Sequence, residues 1–213
     1  MASEAKKLRI FKLCKKIILT SLFLLFSVEP VNIYADTWYF PMNQYFERQT
    51  IKGFKQFIND NFYKEKEALF PINRFYGYHA GVDLEALVQE KNKNVAVYAI
   101  YSGTISYIGN LSGYGGVILL KLGGKNATAL FGHVKIENLS FKTGDHITSG
   151  AKPIILTYLG DEFSKETSGE RKHLHFGIYK GTDLYFRGHE NTLSWLESRW
   201  HNPNQFLKER GAI

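Results

Sequence analysis

From Val95 to Tyr179 the chain is a succession of short apolar or β-branched runs separated by glycine turns, and this rhythm narrows the folds open to it. Val95–Ala99, Ser106–Ile108, Val117–Leu122, Ala127–Phe131, Pro153–Leu159 and His173–Tyr179 each read as strands. Gly103, the cluster Gly113/Gly115/Gly116, the pair Gly123–Gly124 and the turn Thr143–Asp145 punctuate them. Closely spaced strands with glycine between them predict an antiparallel, mainly β domain. Val117–Leu122 and Ala127–Phe131 read as a hairpin. An aromatic content of 15% suits strands and groove linings alike.

The flanks are different. Asn202 and Pro203 read as the cap and first residue of a short helix running to about Glu209. Before the strands, Phe54, Phe57 and Phe62 alternate with Lys52, Lys55 and Lys64, and their spacing predicts an amphipathic helix within Ile51–Phe62 that either packs on the main domain or covers its groove. With 213 residues, 44% hydrophobic and 22% charged, the chain has material for one domain plus extensions.

Residues 1–35 read as a secretory leader. Six basic residues precede the apolar run Ile17–Val28, which is 12 residues long and ends at Glu29–Pro30. A membrane span needs about 20, so a signal peptide with cleavage after Ala35 is expected, an uncleaved anchor being the alternative. The leader's six basic residues against Glu4 and Glu29 account for +4 of the net charge of +7, leaving +3 for the remainder. That residual charge suits an anionic wall polymer or membrane surface, and without an arginine-rich stripe or nucleic-acid motif, no nucleic-acid partner is expected. Cys14, the sole cysteine, lies in the leader, so disulfides and cysteine-ligated zinc are excluded from the mature form.

The chemistry-bearing residues are histidines. Of the seven, His79 opens the segment His79-Ala80-Gly81-Val82-Asp83, and His173 and His175 flank Leu174 inside a strand. Residues two apart on a strand share a face, so His173 and His175 point into one space, as do His79 and Asp83 if their segment is extended. Two imidazoles and a carboxylate make a three-ligand catalytic metal set that leaves a position for water. Only one of the paired histidines is needed for it, and the other is free for acid–base work or oxyanion stabilisation. His133, after a strand and a glycine, is a further candidate. His146, His189 and His201 read as surface residues.

At these positions the chain resembles the lysostaphin-type, or M23, zinc peptidases, also called LytM-domain proteins. Tyr78-His79-Ala80-Gly81-Val82-Asp83-Leu84 is similar to the family's H-x-G-x-D segment. Val97-Tyr98-Ala99 with Ser102-Gly103-Thr104-Ile105, Gly113-Tyr114-Gly115 with Val117-Ile118-Leu119, and Lys142-Thr143-Gly144-Asp145-His146-Ile147 resemble its strand and turn steps in order. Phe131-Gly132-His133-Val134 stands where the family has Y-x-H-L, and Lys172-His173-Leu174-His175-Phe176 looks like its H-L-H-F signature. Asn202-Pro203 through Leu207 is similar to its closing segment. Departures are Phe131 for tyrosine, Val134 for leucine, a short approach to His79, and Gly169-Glu170-Arg171-Lys172 in place of a glycine-rich lead into H-L-H.

The resemblance implies a compact antiparallel β-sheet domain with a zinc-containing groove and short flanking helices. It divides the chain into a leader over 1–35, an N-terminal segment over 36–70, a peptidase domain over 71–207 and a tail over 208–213. It implies one Zn2+ per chain held by His79, Asp83 and His175, with His133 and His173 as the non-ligand catalytic histidines. The implied activity is an exported zinc metalloendopeptidase, in the periplasm, envelope or medium, acting on peptidoglycan peptides, with no stable membrane span once the leader is removed. In some members a propeptide residue keeps the zinc latent, and Asn43 and Asn73 are candidates for that role. A non-enzymatic LytM-like module that regulates another wall hydrolase is the alternative. A lipoyl- or biotinyl-type carrier barrel shares the strand–glycine rhythm but leaves the histidines unexplained.

Overall fold

The strand rhythm folds into a sheet in which the strand carrying the H-x-H pair lies one place in from an edge. A computed structural model describes residues 36–66 and 74–213. The leader and its cleavage site, together with Asn73, lie outside the described residues. In chain order the elements are β1 (Phe57–Ile58), α1 (Asp60–Lys66), β2 (Gly77–His79), β3 (Gly81–Glu85), β4 (Ala96–Tyr98), β5 (Gly103–Leu111), β6 (Gly115–Leu122), β7 (Thr128–Gly132), β8 (His146–Ile147), β9 (Ile155–Tyr158), β10 (His173–Tyr179), β11 (His189–Glu190), α2 (Leu193–Arg199), β12 (Trp200–His201) and α3 (Pro203–Glu209). Among the described residues the largest sheet runs β12–β10–β7–β6–β5–β8, all antiparallel, and β3 shares the outer edge of β10 with β12. The mainly β, antiparallel class is therefore as the sequence indicates.

The unbroken apolar run of β6 follows from burial on both faces. Ile118 and Leu120 join Phe131, Leu174, Phe176 and Ile178 in one core. Val117 and Leu119 join Leu130, Tyr114, Leu196 and Trp200 in a second core on the opposite face. Trp200 anchors that second core: it is 1% exposed, donates its indole N–H to Glu190 Oε1 at 3.1 Å, and packs against Tyr179 and Tyr185. Trp200→Ala is expected to cost about 3–5 kcal/mol, read as a lowered urea midpoint with an unchanged slope.

Asn202 caps α3 by accepting from Asn204 and Gln205 N–H, with Pro203 as the first helical residue. The expected helix over Ile51–Phe62 is not formed. Lys55 sits at φ 69, and residues 49–56 pair instead with β2 and β3, through Glu85 N–H to Gln49 C=O at 3.0 Å and His79 N–H to Gln56 C=O at 2.9 Å. Helix α1 begins only after Asn59, whose side chain accepts from Phe62 N–H at 3.1 Å. Upstream, Met42 and Tyr45 enter the first core, so this part of the N-terminal segment packs on the main domain. Among the described residues, no helix is long and apolar enough to cross a membrane.

Candidate metal centre

Strand register assembles the site. On β10, His175 lies opposite Asp83 of β3 on one side and Gly132 of β7 on the other, and His173 lies opposite Glu85. Directly opposed residues share a face, so Asp83, Glu85, His173 and His175 project together. Leu174, Phe176 and Val82 take the opposite face and enter the core. Two glycines clear the space: a Cβ on Gly81 would lie 2.5 Å from the Phe176 carbonyl and 2.9 Å from the His175 ring, and one on Gly132 would strike the Tyr114 ring at 2.5 Å.

Three ligand atoms converge. His79 Nε2 lies 3.0 Å from His175 Nδ1 and 3.2 Å from Asp83 Oδ1, and His175 Nδ1 lies 3.0 Å from Asp83 Oδ1. All three residues are buried. His79 Nδ1 faces the Gly53 carbonyl at 3.2 Å, and because a carbonyl only accepts, Nδ1 carries the proton and Nε2 a lone pair. Burial lowers the pKa of His175 below the usual value, although the hydrogen bond to Asp83 opposes the shift. Burial alone would raise Asp83, yet the neighbouring His79 ring, the Lys52 ammonium, the His173 ring and the hydrogen bond from His175 hold its carboxyl well below the ordinary range. The trio therefore brings the His79 Nε2 lone pair, His175 Nδ1 and an ionised carboxylate oxygen to one point. Nitrogen-plus-oxygen donor sets of this kind suit zinc, and a cation satisfies lone pairs that a single proton cannot.

Beside the trio stands a second group, His133, His173 and Glu170. His173 Nδ1 donates to the Arg171 carbonyl at 2.8 Å, which leaves Nε2 with a lone pair, and that atom has no hydrogen-bond partner. His133 Nδ1 is likewise buried and without a partner. The two rings lie 4.2 Å apart. His133 sits at φ 61, a left-handed conformation uncommon for histidine, at the end of β7. Burial pushes His133 down to about 3 and His173 well below its usual value, Arg171 adding to the latter. Both are neutral near pH 7.

An ion-pair network lies beneath. Arg171 grips Glu85 with Nε–H at 2.9 Å from both carboxylate oxygens, and reaches Glu170 Oε2 at 3.1 Å and Asp83 Oδ2 at 3.4 Å. Lys52 Nζ lies 3.3 Å from Asp83 Oδ2 and 3.5 Å from Glu170 Oε2. Above the site opens a cleft of about 280 Å³ walled by Phe75, Tyr114 and Phe186, with Arg74 and Arg187 also lining it.

Of the five sequence-derived candidates, His79, Asp83, His133 and His175 line this cleft, and His173 lies fully buried behind them against the His133 ring. His146 is exposed, as read. His189 is a correction: it pairs with His79 across β11 and β2, stacks on Phe75 at 4.7 Å and lines the cleft, because a strand too short to leave a sequence pattern brings it there. His201 is also half-buried, against Phe206. Asn43 lies away from the metal trio, donating to Tyr98 Oη at 3.2 Å on the surface. Lys52, Glu85, Glu170 and Arg171 belong to the site and were not among the candidates. The departure at Gly169–Lys172 was their one signal in the sequence.

Comparison with known proteins bears on this arrangement. No curated protein matches the sequence significantly. Among solved structures, the catalytic domain of lysostaphin from Staphylococcus simulans, described as an antimicrobial peptidase, aligns with TM-score 0.50 and 21% identity over 76% of this chain and 93% of that one. The longer structure of lysostaphin from the same organism aligns with TM-score 0.50 and 21% identity over 77% of this chain and 51% of that one. At that identity the likeness is one of fold. The sequence model of peptidase family M23 matches residues 77–187, which run from β2 through the H-x-H strand to the edge of the cleft and make up more than half of the chain, and the protein is therefore a member of that family.

Proposed function

We propose that the chain is a zinc-dependent endopeptidase that hydrolyses peptide bonds of peptidoglycan, in stem-peptide cross-links or bridges. The observation that carries this reading is the meeting of a three-donor set with two neutral, buried histidines, each with a ring nitrogen that has no hydrogen-bond partner, His173 Nε2 lying 3.7 Å from Asp83 Oδ2. Membership of a peptidase family supports the reaction class. In this reading residues 71–207 form the peptidase domain, preceded by the 36–70 segment and an export leader, and the protein works in the cell envelope or outside it.

His79 Nε2, Asp83 Oδ1 and His175 Nδ1 would hold one Zn2+, which when bound supplies a Lewis acid that polarises the scissile carbonyl and acidifies water. The chain supplies the rest. His173, its Nδ1–H committed to the Arg171 carbonyl, offers Nε2 as the atom that takes a proton from the attacking water. His133 stabilises the negative charge that develops on the carbonyl oxygen. The walls Phe75, Tyr114 and Phe186 exclude water and orient an extended peptide across the floor.

The test is a wall digest. Zinc-loaded full-length protein is incubated with purified peptidoglycan of diaminopimelate and of glycine-bridged types, and released fragments are identified by mass spectrometry. Fragments that disappear with a chelator and with His173→Ala are expected, and their masses name the bond. Absence of cleavage in both walls, with zinc bound and the fold intact, overturns the reading.

A further inference from the structure

The family match begins at residue 77, yet a cation that touches the metal trio comes from before it. Residues 49–56 lie along β2 and β3, and Asp83 N–H donates to the Lys52 carbonyl at 2.9 Å. This register puts the Lys52 ammonium beside Asp83 Oδ2 at 3.3 Å and Glu170 Oε2 at 3.5 Å, with the residue 3% exposed. A lysine so deeply buried next to a metal-binding set is unusual. Its charge opposes that of the cation, so packing or metal retention alone gives no reason for it.

Charge balance gives the reason. Arg171 is matched by Glu85, which it meets at 2.8 Å through a terminal nitrogen and at 2.9 Å through Nε. Arg171 also reaches Glu170 at 3.1 Å and Asp83 at 3.4 Å, so two cations, Arg171 and Lys52, face three carboxylates, Asp83, Glu85 and Glu170. Burial raises Glu170 and pushes Glu85 up to about 7, but a cation beside them favours the ionised form, and with all three carboxylates ionised the group carries one excess negative charge. A divalent cation turns it into one excess positive charge. Without Lys52 the metal-loaded cluster would be neutral.

We propose that Lys52 is a positioning residue that sets the charge of the metal centre: its ammonium, held on Asp83 and Glu170, keeps the loaded centre one positive charge in excess, so that an anion at the reacting carbonyl neutralises it. This rests on the hydrolase reading given above. An interaction stronger in the transition state than in the ground state is the kind that raises kcat. Asp83 Oδ2 is also held by Arg171 at 3.4 Å, so removing Lys52 alters the charge while a second donor still orients the carboxylate.

The signature is a pair of opposite shifts. Losing the ammonium removes repulsion on the metal and attraction on the anion, whereas a merely structural role would weaken both. Purified full-length protein, Lys52→Met and Lys52→Arg would be compared in zinc affinity, by competition with a chromophoric chelator, and in affinity of the zinc-loaded protein for acetohydroxamate, a small anionic metal ligand. Lys52→Met is expected to bind zinc about tenfold more tightly and acetohydroxamate about tenfold more weakly. Lys52→Arg is expected to stay close to the parent in both. On the wall substrate, Lys52→Met should lower kcat about a hundredfold with KM within about twofold. Should Lys52→Met not fold, Lys52→Gln carries the same charge change. Zinc and acetohydroxamate affinities that fall together, or that both stay unchanged, overturn the proposal. If the parent protein cleaves no wall, the hydrolase reading falls, and the two affinities still decide the role of Lys52.

Discussion

Replacing His175 by alanine is expected to strip zinc from the protein while leaving it folded. His175 Nδ1 is one of three donors that meet within hydrogen-bond distance of one another. Removing one leaves His79 and Asp83, too few for a catalytic set. With a zinc binding free energy on the order of 10 kcal/mol or more spread over the donors, loss of one corresponds to on the order of a thousandfold in affinity. The backbone should tolerate the change, because the paired residues Asp83 and Gly132 bracket position 175 through main-chain ladders that alanine preserves. Elemental analysis after dialysis, with circular dichroism as the check on folding, reads the outcome. Stoichiometric zinc in a folded His175→Ala protein would remove His175 from the ligand set.

The part of the site that was legible in the sequence is the part that follows strand periodicity. His173–Tyr179 alternates polar with apolar residues, so its inward and outward faces could be assigned without the partner strands, and β10 spans those residues. Asn202–Pro203 announced α3 by a local side-chain cap. Helix α2 is as short and also has a cap, Thr192, which accepts from Trp195 N–H, but it lacks the proline that marks the first position of α3. The N-terminal segment misled because its phenylalanine spacing imitates a helix face. The left-handed backbone at Lys55 and the pairing of 49–56 with β2 and β3 are long-range outcomes that outweigh local propensity. The ion-pair network was invisible for the same reason. Lys52, Glu85 and Arg171 come from three separate segments, and beyond the unusual Gly169–Lys172 lead into H-L-H nothing in their local sequence marks them as burial partners.

The second large effect separates chemistry from metal binding. His173→Ala and His133→Ala are each expected to lower hydrolysis by about two to four orders of magnitude, the usual range for a positioned acid or base, while zinc stays bound in full. Neither residue contributes an atom to the donor trio. Each nonetheless has a buried ring nitrogen without a hydrogen-bond partner, His173 Nε2 and His133 Nδ1. An unpaired buried polar atom costs stability on the order of 1–3 kcal/mol, so each alanine variant should be no less stable on that account. That expectation sets function against structure. A pair kept for packing alone would show little change in rate and a clear loss of stability on truncation. A pair kept for proton transfer would show the reverse. The tautomer adds a distinction between the two. His173 Nδ1–H is fixed on the Arg171 carbonyl, so His173→Gln, which cannot act as a base at neutral pH, should fail as completely as alanine. Steady-state kinetics on a soluble cross-linked peptide, with zinc content and melting temperature measured on the same samples, gives all three quantities. Full activity in both alanine variants would exclude the histidine pair from the chemistry and leave the water to be activated by another group in the cleft, such as Glu170, a carboxylate outside the donor trio, 4.0 Å from His173 Nε2.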